Sequence, residues 1–402
     1  MKRVKVISIA FACMLVLVAV TAQPVAAASR SDSLRSYISG RYDVERGGYS
    51  PPSDNVVRVD ATYGAIVALN ELGSLTVRPP PVNLTHVLDS LILRQWSEDR
   101  EGNATDIDYE RYGGFSEYLI GPVTMNMNMM GFILLDILKD QADYPGISAL
   151  DIDRDALIVH LNRTHNADGS FSAVPLWNPD IVSTYQALYI INALDIENPS
   201  LNAWDIIDNE TATLEWINDC RSGDGFKLSP QANTIGVTAT AAGIMALDLL
   251  PSVTTVQGLQ AASDWVLARQ IEDATNEDFI GGFEEGVATE DPNFVSTYYA
   301  LQLLDFSGGL VLVNETIVTD FILNCQVADG SWGFIPGADS GSLVYAGQAC
   351  ELLNMFGDAA TILASSEDPF SPAGFVFDWR YFAIVGLIVV AFVVAIISIR
   401  RD

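Results

Sequence analysis

Apolar residues recur along this chain in two alternating manners. Ile317, Val318, Phe321, Ile322 and Cys325 fall at i, i+1, i+4, i+5 and i+8, one stripe of a helix, while Glu315 and Asp320 lie off it. One-sided stretches of the same kind occupy residues 33–39, 87–96, 155–163, 211–220 and 259–270. Between them lie six stretches without a charged residue: 61–70, 123–135, 181–194, 235–247, 295–304 and 342–350. A helix apolar all round is buried on all sides, so the pattern predicts six wet-sided helices alternating with six interior ones.

A turn separates the members of each pair. Glycine followed at once or after one residue by an aromatic occurs six times, at Tyr49, Phe115, Phe171, Phe226, Phe283 and Trp332, with spacings of 66, 56, 55, 57 and 49 residues. Such a period marks a repeat in which no unit buries its apolar face alone. None of the 17 prolines falls inside a predicted helix, and Pro122, Pro179 and Pro292 stand just ahead of interior helices, where a missing N–H costs little. The expected fold is all-α: six helical hairpins in two concentric layers, closed as an (α/α)6 toroid over residues 29–358.

Counted from the turn aromatics, tyrosines recur on the interior helices at Tyr63, Tyr185, Tyr298 and Tyr345, with Met129 and Thr240 at the same offset in the other two repeats. Asp60, Asp180, Asp291 and Asp339 stand just ahead of interior helices. In a closed ring this predicts carboxylates around one mouth and tyrosines about one turn deeper, a lining suited to a cationic, sugar-like or peptide ligand and hostile to diphosphates. Asp beside a helix N-terminus also gains about 0.3–1 kcal/mol from capping and dipole, and repeated tyrosines also serve packing. Met125 and Met127 beside Met129 and Met130 read as adaptable core, Glu284 and Glu285 as a solvated loop pair, and Trp332 as a wedge between repeats.

Charge and the chain ends set the surroundings. Lys+Arg is 21 against Asp+Glu 51, a formal net charge of -30, which argues against nucleic acid as a partner. MKRVK, the apolar run 6–20 and VAAAS near residue 28 read as a signal peptide, residues 1–28. Tyr381 to Ile399 is uncharged and precedes Arg400 and Arg401, which predicts one C-terminal transmembrane helix (380–399) after a stalk (359–379), with a cytoplasmic tail (400–402). The expected location is the cell membrane, the large N-terminal part being extracellular or lumenal and the membrane itself a partner through that helix. Sequons at Asn83, Asn103, Asn162, Asn209 and Asn314 are candidate glycosylation sites. Beyond the signal peptide stand three cysteines, Cys220, Cys325 and Cys350, so no disulfide framework is expected.

With six Gly-aromatic turns, interior helices beginning VSTYQAL and VSTYYAL, and Gln326-Val-Ala-Asp-Gly330-Ser-Trp332, the chain resembles the prenyltransferase and squalene cyclase repeat superfamily over about residues 31–357. The resemblance implies a toroid and, in its catalytic members, three signatures: a zinc bound by Asp, Cys and His, a Lys/Arg cluster for a prenyl diphosphate, and a DxDD or DCTAE acid. None of the interior-helix openings contains cysteine, His86, His160 and His165 fall in or beside outer helices, and only Lys139 and Lys227 remain after the signal peptide. Asp151, Asp153 and Asp155 come nearest to DxDD but start an outer helix. The expectation is a toroid without cofactor or metal, binding a small-molecule, lipid, glycan or protein ligand without catalysis. The alternative is a divergent isoprenoid-acting enzyme or a carboxylate-dependent carbohydrate hydrolase or lyase.

Overall fold

The computed structural model describes residues 22–25, 27–78, 80–97, 110–141, 143–287, 291–371 and 374–377. They divide into two units, Ser33–Ile362 and the two chain ends, residues 1–32 with 363–402.

The larger unit contains the alternating helices that the periodicity predicts. The outer ones are α1 (Arg30–Arg41, which begins in the smaller unit), α3 (Leu84–Ile92), α5 (Arg154–Thr164), α7 (Glu210–Asp219), α9 (Leu259–Leu267) and α11 (Glu315–Asn324). The inner ones are α2 (Val59–Glu71), α4 (Met125–Lys139), α6 (Ile181–Glu197), α8 (Val237–Leu249), α10 (Phe294–Phe306) and α12 (Leu343–Phe356). Each inner helix packs on the next, α2 on α4 and so on to α10 on α12, and α12 packs back on α2. The ring is closed.

Glycine makes the closure possible. A Cβ on Gly64 of α2 would strike the Leu343 carbonyl at the start of α12, and one on Gly347 of α12 would lie 2.6 Å from the Gly64 carbonyl oxygen. The two backbones therefore touch where side chains would hold them apart. The outer layer closes at Gly330, whose φ of 91° belongs to the left-handed region. A Cβ there would run into the backbone of Ser33 and Leu34 on α1.

Five of the six turns are pinned to their own inner helices by one recurring hydrogen bond. The backbone N–H of Tyr49 donates to Thr62 Oγ1 (3.0 Å), Phe115 to Asn128 Oδ1 (2.8 Å), Phe171 to Thr184 Oγ1 (3.1 Å), Phe226 to Thr240 Oγ1 (3.0 Å) and Phe283 to Thr297 Oγ1 (3.0 Å). This is the physical reason for the threonine that precedes Tyr63, Tyr185 and Tyr298. The sixth turn has no such residue, since Ala346 occupies the position. There Trp332, fully buried, is held instead by its indole N–H, which donates to the Ile322 carbonyl at 2.8 Å. Neighbouring repeats are linked as the first N–H of α2, α4, α6, α8 and α10 donates to a carbonyl of the following turn, those of Glu117, Ala173, Leu228, Glu285 and Phe334. These bonds satisfy helix N-terminal donors that have no intrahelical partner.

The inner helices extend past the uncharged stretches read from sequence, and the extensions carry charge. Asp60 and Glu71 belong to α2, Asp136 and Lys139 to α4, Asp195 and Glu197 to α6, Asp248 to α8, Asp305 to α10 and Glu351 to α12. The interior is thus apolar in its middle turns and charged toward the helix ends.

In the smaller unit the strands β1 (Ala22–Val25) and β2 (Gly374–Phe377) pair antiparallel, and the Arg30 N–H donates to the Ser366 carbonyl at 3.0 Å. Ala359–Ser365, assigned to a stalk from sequence, forms a helix, α13. Among the described residues no helix is long and apolar enough to cross a membrane. The predicted transmembrane run from Tyr381 to Ile399, the cytoplasmic tail and most of the signal peptide lie outside the described residues.

Candidate functional site

The helix N-cap is the frame that sorts the repeats. The caps are Arg58, Thr124, Asp180, Gly236, Asn293 and Ser342. Four residues beyond the cap stands the Thr or Asn that faces the turn. Gly131 and Gly243, three residues further, lie under the rings of Phe115 and Phe226, where an added Cβ would come within 2.9 and 2.6 Å of the ring carbons. That side of each inner helix points outward, toward its turn. The opposite stripe, five, nine and twelve residues past the cap, faces the axis.

The axial stripe alternates in size around the ring. Five residues past the cap stand Tyr63, Met129, Tyr185, Ala241, Tyr298 and Gly347, so tyrosines come from the alternate helices α2, α6 and α10 with smaller residues between. Nine past the cap stand Val67, Ile133, Tyr189, Met245, Gln302 and Glu351, and twelve past it Asn70, Asp136, Asn192, Asp248, Asp305 and Asn354. The last set is a ring of six carboxylates or carboxamides near the C-terminal helix ends. No lysine or arginine occupies any of these positions.

Three of the tyrosines, Tyr63, Tyr189 and Tyr298, stand within electrostatic reach of one carboxyl group, that of Glu351. Tyr298 donates its hydroxyl to Glu351 Oε2 at 3.1 Å. Tyr63 of α2 lies within electrostatic reach of Glu351, Tyr185, Tyr189 and Tyr299, although these stand on three other helices. Burial pushes Tyr63, Tyr185, Tyr189, Tyr298 and Tyr299 above the ordinary phenol range. It also raises Glu351 to about 7, opposed by the Tyr298 hydrogen bond and reinforced by the charge of Glu71. Tyr63 is only 3% exposed, whereas Tyr185, Tyr189, Tyr298, Tyr299 and Glu351 keep some accessible surface in the middle of the ring. That surface lies along the axial stripe beside the thioethers of Met129 and Met245, which are also partly open.

Of the residues expected at the mouth, the structure brings Tyr63, Tyr185 and Tyr298 together and separates the rest. Tyr345 stands three residues past its cap, not five, and packs against Phe294 and Phe334 with ring centroids at 5.4 and 6.3 Å. The four aspartates occupy four different positions. Asp180 is the N-cap of α6, accepting from Ser183 N (2.8 Å) and Oγ (2.7 Å). Asp60 lies two residues past its cap, where burial and the nearby Glu117 raise its pKa against the pull of its own helix N–H groups and Arg58. Asp291 and Asp339 are exposed and precede their caps. Offsets counted from the aromatics concealed this because the intervening loops differ in length. The same loops expose Leu119, Ile120, Leu176, Trp177, Leu228, Val287, Phe334 and Ile335, so this mouth is apolar as well as acidic.

Sequence reasoning missed Glu351, Tyr189 and Tyr299. The signal for Glu351 was a carboxylate one residue beyond the stretch ending at Cys350, on the face four residues from Gly347.

The remaining candidates have structural roles. Glu284 pairs with Arg269 at 3.8 Å, and Glu285 accepts from Thr238 N (3.2 Å) and Oγ1 (2.7 Å) at the start of α8. Met125 and Met127 are buried, whereas Met129 and Met130 are partly open. Asp153 caps α5 through Ala156 N (2.9 Å), and Asp151 pairs with Arg154 at 2.6 Å. Asn83, Asn209 and Asn314 are exposed N-caps of α3, α7 and α11, Asn162 is exposed on α5, and Asn103 lies outside the described residues.

Among the described residues no three His, Cys, Asp or Glu side chains are grouped as metal ligands would be. Burial holds the thiols of Cys220, Cys325 and Cys350 in the protonated form. His160 turns its Nδ1 to the Tyr112 carbonyl at 3.1 Å, away from the axis.

Comparison with known proteins places this geometry. The family model for the prenyltransferase alpha-alpha toroid domain matches residues 86–284 and 274–366. The chain is 26% identical over 197 residues to the beta subunit of geranylgeranyl transferase type-1 from Arabidopsis thaliana, an alignment covering 46% of this chain and 48% of that protein. It thus spans about half the length of this curated relative. Among solved structures, the Candida albicans protein geranylgeranyltransferase-I complexed with GGPP superposes with a TM-score of 0.56 at 16% identity, covering 81% of this chain and 90% of that one. A GH76 alpha-mannanase from Bacteroides thetaiotaomicron gives a TM-score of 0.55 at 9% identity, covering 83% and 96%. At such identities the likeness concerns the fold alone.

Proposed function

Because the chain belongs to the prenyltransferase alpha-alpha toroid family, we propose that it keeps the family's ring as a binding module whose axial chamber takes an uncharged or cationic small molecule. The observation that carries this reading is the approach of Tyr63, Tyr189 and Tyr298 to Glu351, with Tyr185 and Tyr299 close to Tyr63 and Tyr298. Aromatic faces with few polar groups are the usual lining of a small-molecule site. The axial positions supply no cation for a diphosphate, and an uncompensated dianion in such surroundings is strongly disfavoured. The ligand of the Candida enzyme, GGPP, is therefore a poor candidate here.

Tethering to a membrane, with the ring outside the cell, is part of the proposal. Its support is the basic-then-apolar N-terminus, the uncharged run from Tyr381 to Ile399 and the arginines that follow it.

The test is to purify the full chain from membranes in a non-ionic detergent, extract it and identify bound small molecules by mass spectrometry, beside the Tyr185→Ala/Tyr298→Ala variant. A compound present with the parent chain and lost from the folded variant is the expected result. A compound retained equally by both places binding elsewhere and overturns the reading.

Glu351 also favours a second reading. A carboxylic acid that titrates near neutrality among aromatic rings is equipped to act as a general acid, on an isoprenoid or a glycan. Conversion of such a substrate by the parent chain and its loss in Glu351→Gln would establish an enzyme; the proposed module turns over neither.

A further inference from the structure

Resting on the reading of the axis as the binding site, we propose that the axial chamber is a cage for an organic ammonium ion, with tyrosine faces around the cation and Glu351 as its counter-charge. Three independent features point to a cation rather than a neutral molecule.

The first is the lining. Tyr63, Tyr185 and Tyr298 come from alternate inner helices and approach the axis from three sides, with Tyr189 and Tyr299 beside them. The face of an aromatic ring is the negative end of its quadrupole, so rings disposed around one point attract a positive charge placed there. An alkylammonium ion also presents methyl or methylene groups, which suit rings better than a metal ion's need for oxygen ligands does.

The second is the carboxyl group. Glu351 shares a hydrogen bond with Tyr298 at 3.1 Å, yet no lysine or arginine stands on the axial stripe to balance it. An ionised carboxylate in this setting has the tyrosine hydroxyl for company but no cation. A ligand that brings one supplies what the protein leaves out.

The third is the field at the C-terminal mouth. The six inner helices point their negative dipole ends toward it, and Asp136, Asp248 and Asp305 stand exposed there on the axial stripe. Glu71 adds its charge close enough to act on Glu351. Cations are drawn to such an opening and anions repelled.

A pair of probes separates this inference from the reading it rests on. Choline and 3,3-dimethylbutan-1-ol have the same shape and differ in one positive charge. Titration of the full chain in non-ionic detergent, followed calorimetrically, should give choline an affinity at least tenfold above that of the alcohol. Glu351→Gln should lower the choline affinity tenfold or more and bring it close to that of the alcohol, while Glu351→Asp, which keeps the charge, should retain most of the preference. Equal binding of the two probes would overturn the ammonium cage while leaving an axial site for neutral molecules. Binding of neither would overturn both. A choline preference that survives Glu351→Gln would remove the carboxylate from the account and so overturn the inference as stated.

Discussion

Replacing Glu351 by glutamine removes one titrating group and preserves shape, which makes it a direct probe of the ring's interior. Burial raises this carboxyl from its ordinary 4.5 to about 7, with Glu71 of α2 adding to the effect and the Tyr298 hydroxyl of α10 opposing it. A group whose folded-state pKa lies above its unfolded value favours folding fully below the unfolded value. That contribution is lost as pH rises through the folded one. The parent ring should therefore lose stability between pH 4.5 and about 7 and lose no more from this group above that. Each pH decade in the window is worth about 1.4 kcal/mol, so the loss approaches about 3 kcal/mol at most. For a ring of this size that is roughly 4–6 °C in melting temperature. Thermal unfolding of both proteins, followed by circular dichroism from pH 5 to 8, reads the difference directly. The other ionisable groups are common to both proteins and largely cancel. The melting temperature of Glu351→Gln should rise relative to the parent as pH increases; curves that stay parallel would refute a perturbed carboxyl on the axis.

Gly64→Ala should weaken ring closure, because the new methyl meets the backbone of Leu343 and Val344. A loss of about 3 kcal/mol or more is expected in urea unfolding, reflecting overpacking against a helix that cannot yield. Thr184→Val leaves the Phe171 N–H without its acceptor and should cost about 1–3 kcal/mol, whereas Thr184→Ser should recover most of it. Leu176 is 81% exposed and held at a φ of 71°. Leu176→Gly should therefore stabilise the ring by about 1 kcal/mol, seen as a higher denaturation midpoint, as left-handed backbone suits glycine.

Much of the ring is legible in the sequence because each repeat must solve the same problem. A left-handed glycine, an aromatic that plugs the layer and a Thr or Asn that receives its N–H recur at nearly fixed spacing, and together they imply the alternation of helices. The site is less legible. Counted from the aromatics, Tyr345 falls near the other tyrosines and the four aspartates all fall ahead of interior stretches, because the loops between differ in length. The helix N-cap is the register that geometry respects, and it moves Gly347 into the tyrosine column and Tyr345 out of it. Glu351 escaped notice for a related reason. The middle of α12 is uncharged, and the stretch that revealed it as an inner helix ends one residue before the carboxylate. Nothing in the sequence marks Tyr189 and Tyr299 as axial until helices on opposite sides of the ring are known to face one another. Prediction of a transmembrane helix rests on composition alone and stands apart from the ring.

The central claim is that ligands enter the axis among the tyrosines, and tyrosine ring resonances report it most directly. With ring-labelled tyrosine and single Tyr→Phe variants for assignment, titration with choline should shift Tyr63, Tyr185, Tyr189, Tyr298 and Tyr299 together. Tyr42 and Tyr144, near the surface groove under Pro80 and Pro81, should not move. Shifts confined to that outer pair, or none at saturating ligand, would contradict the account.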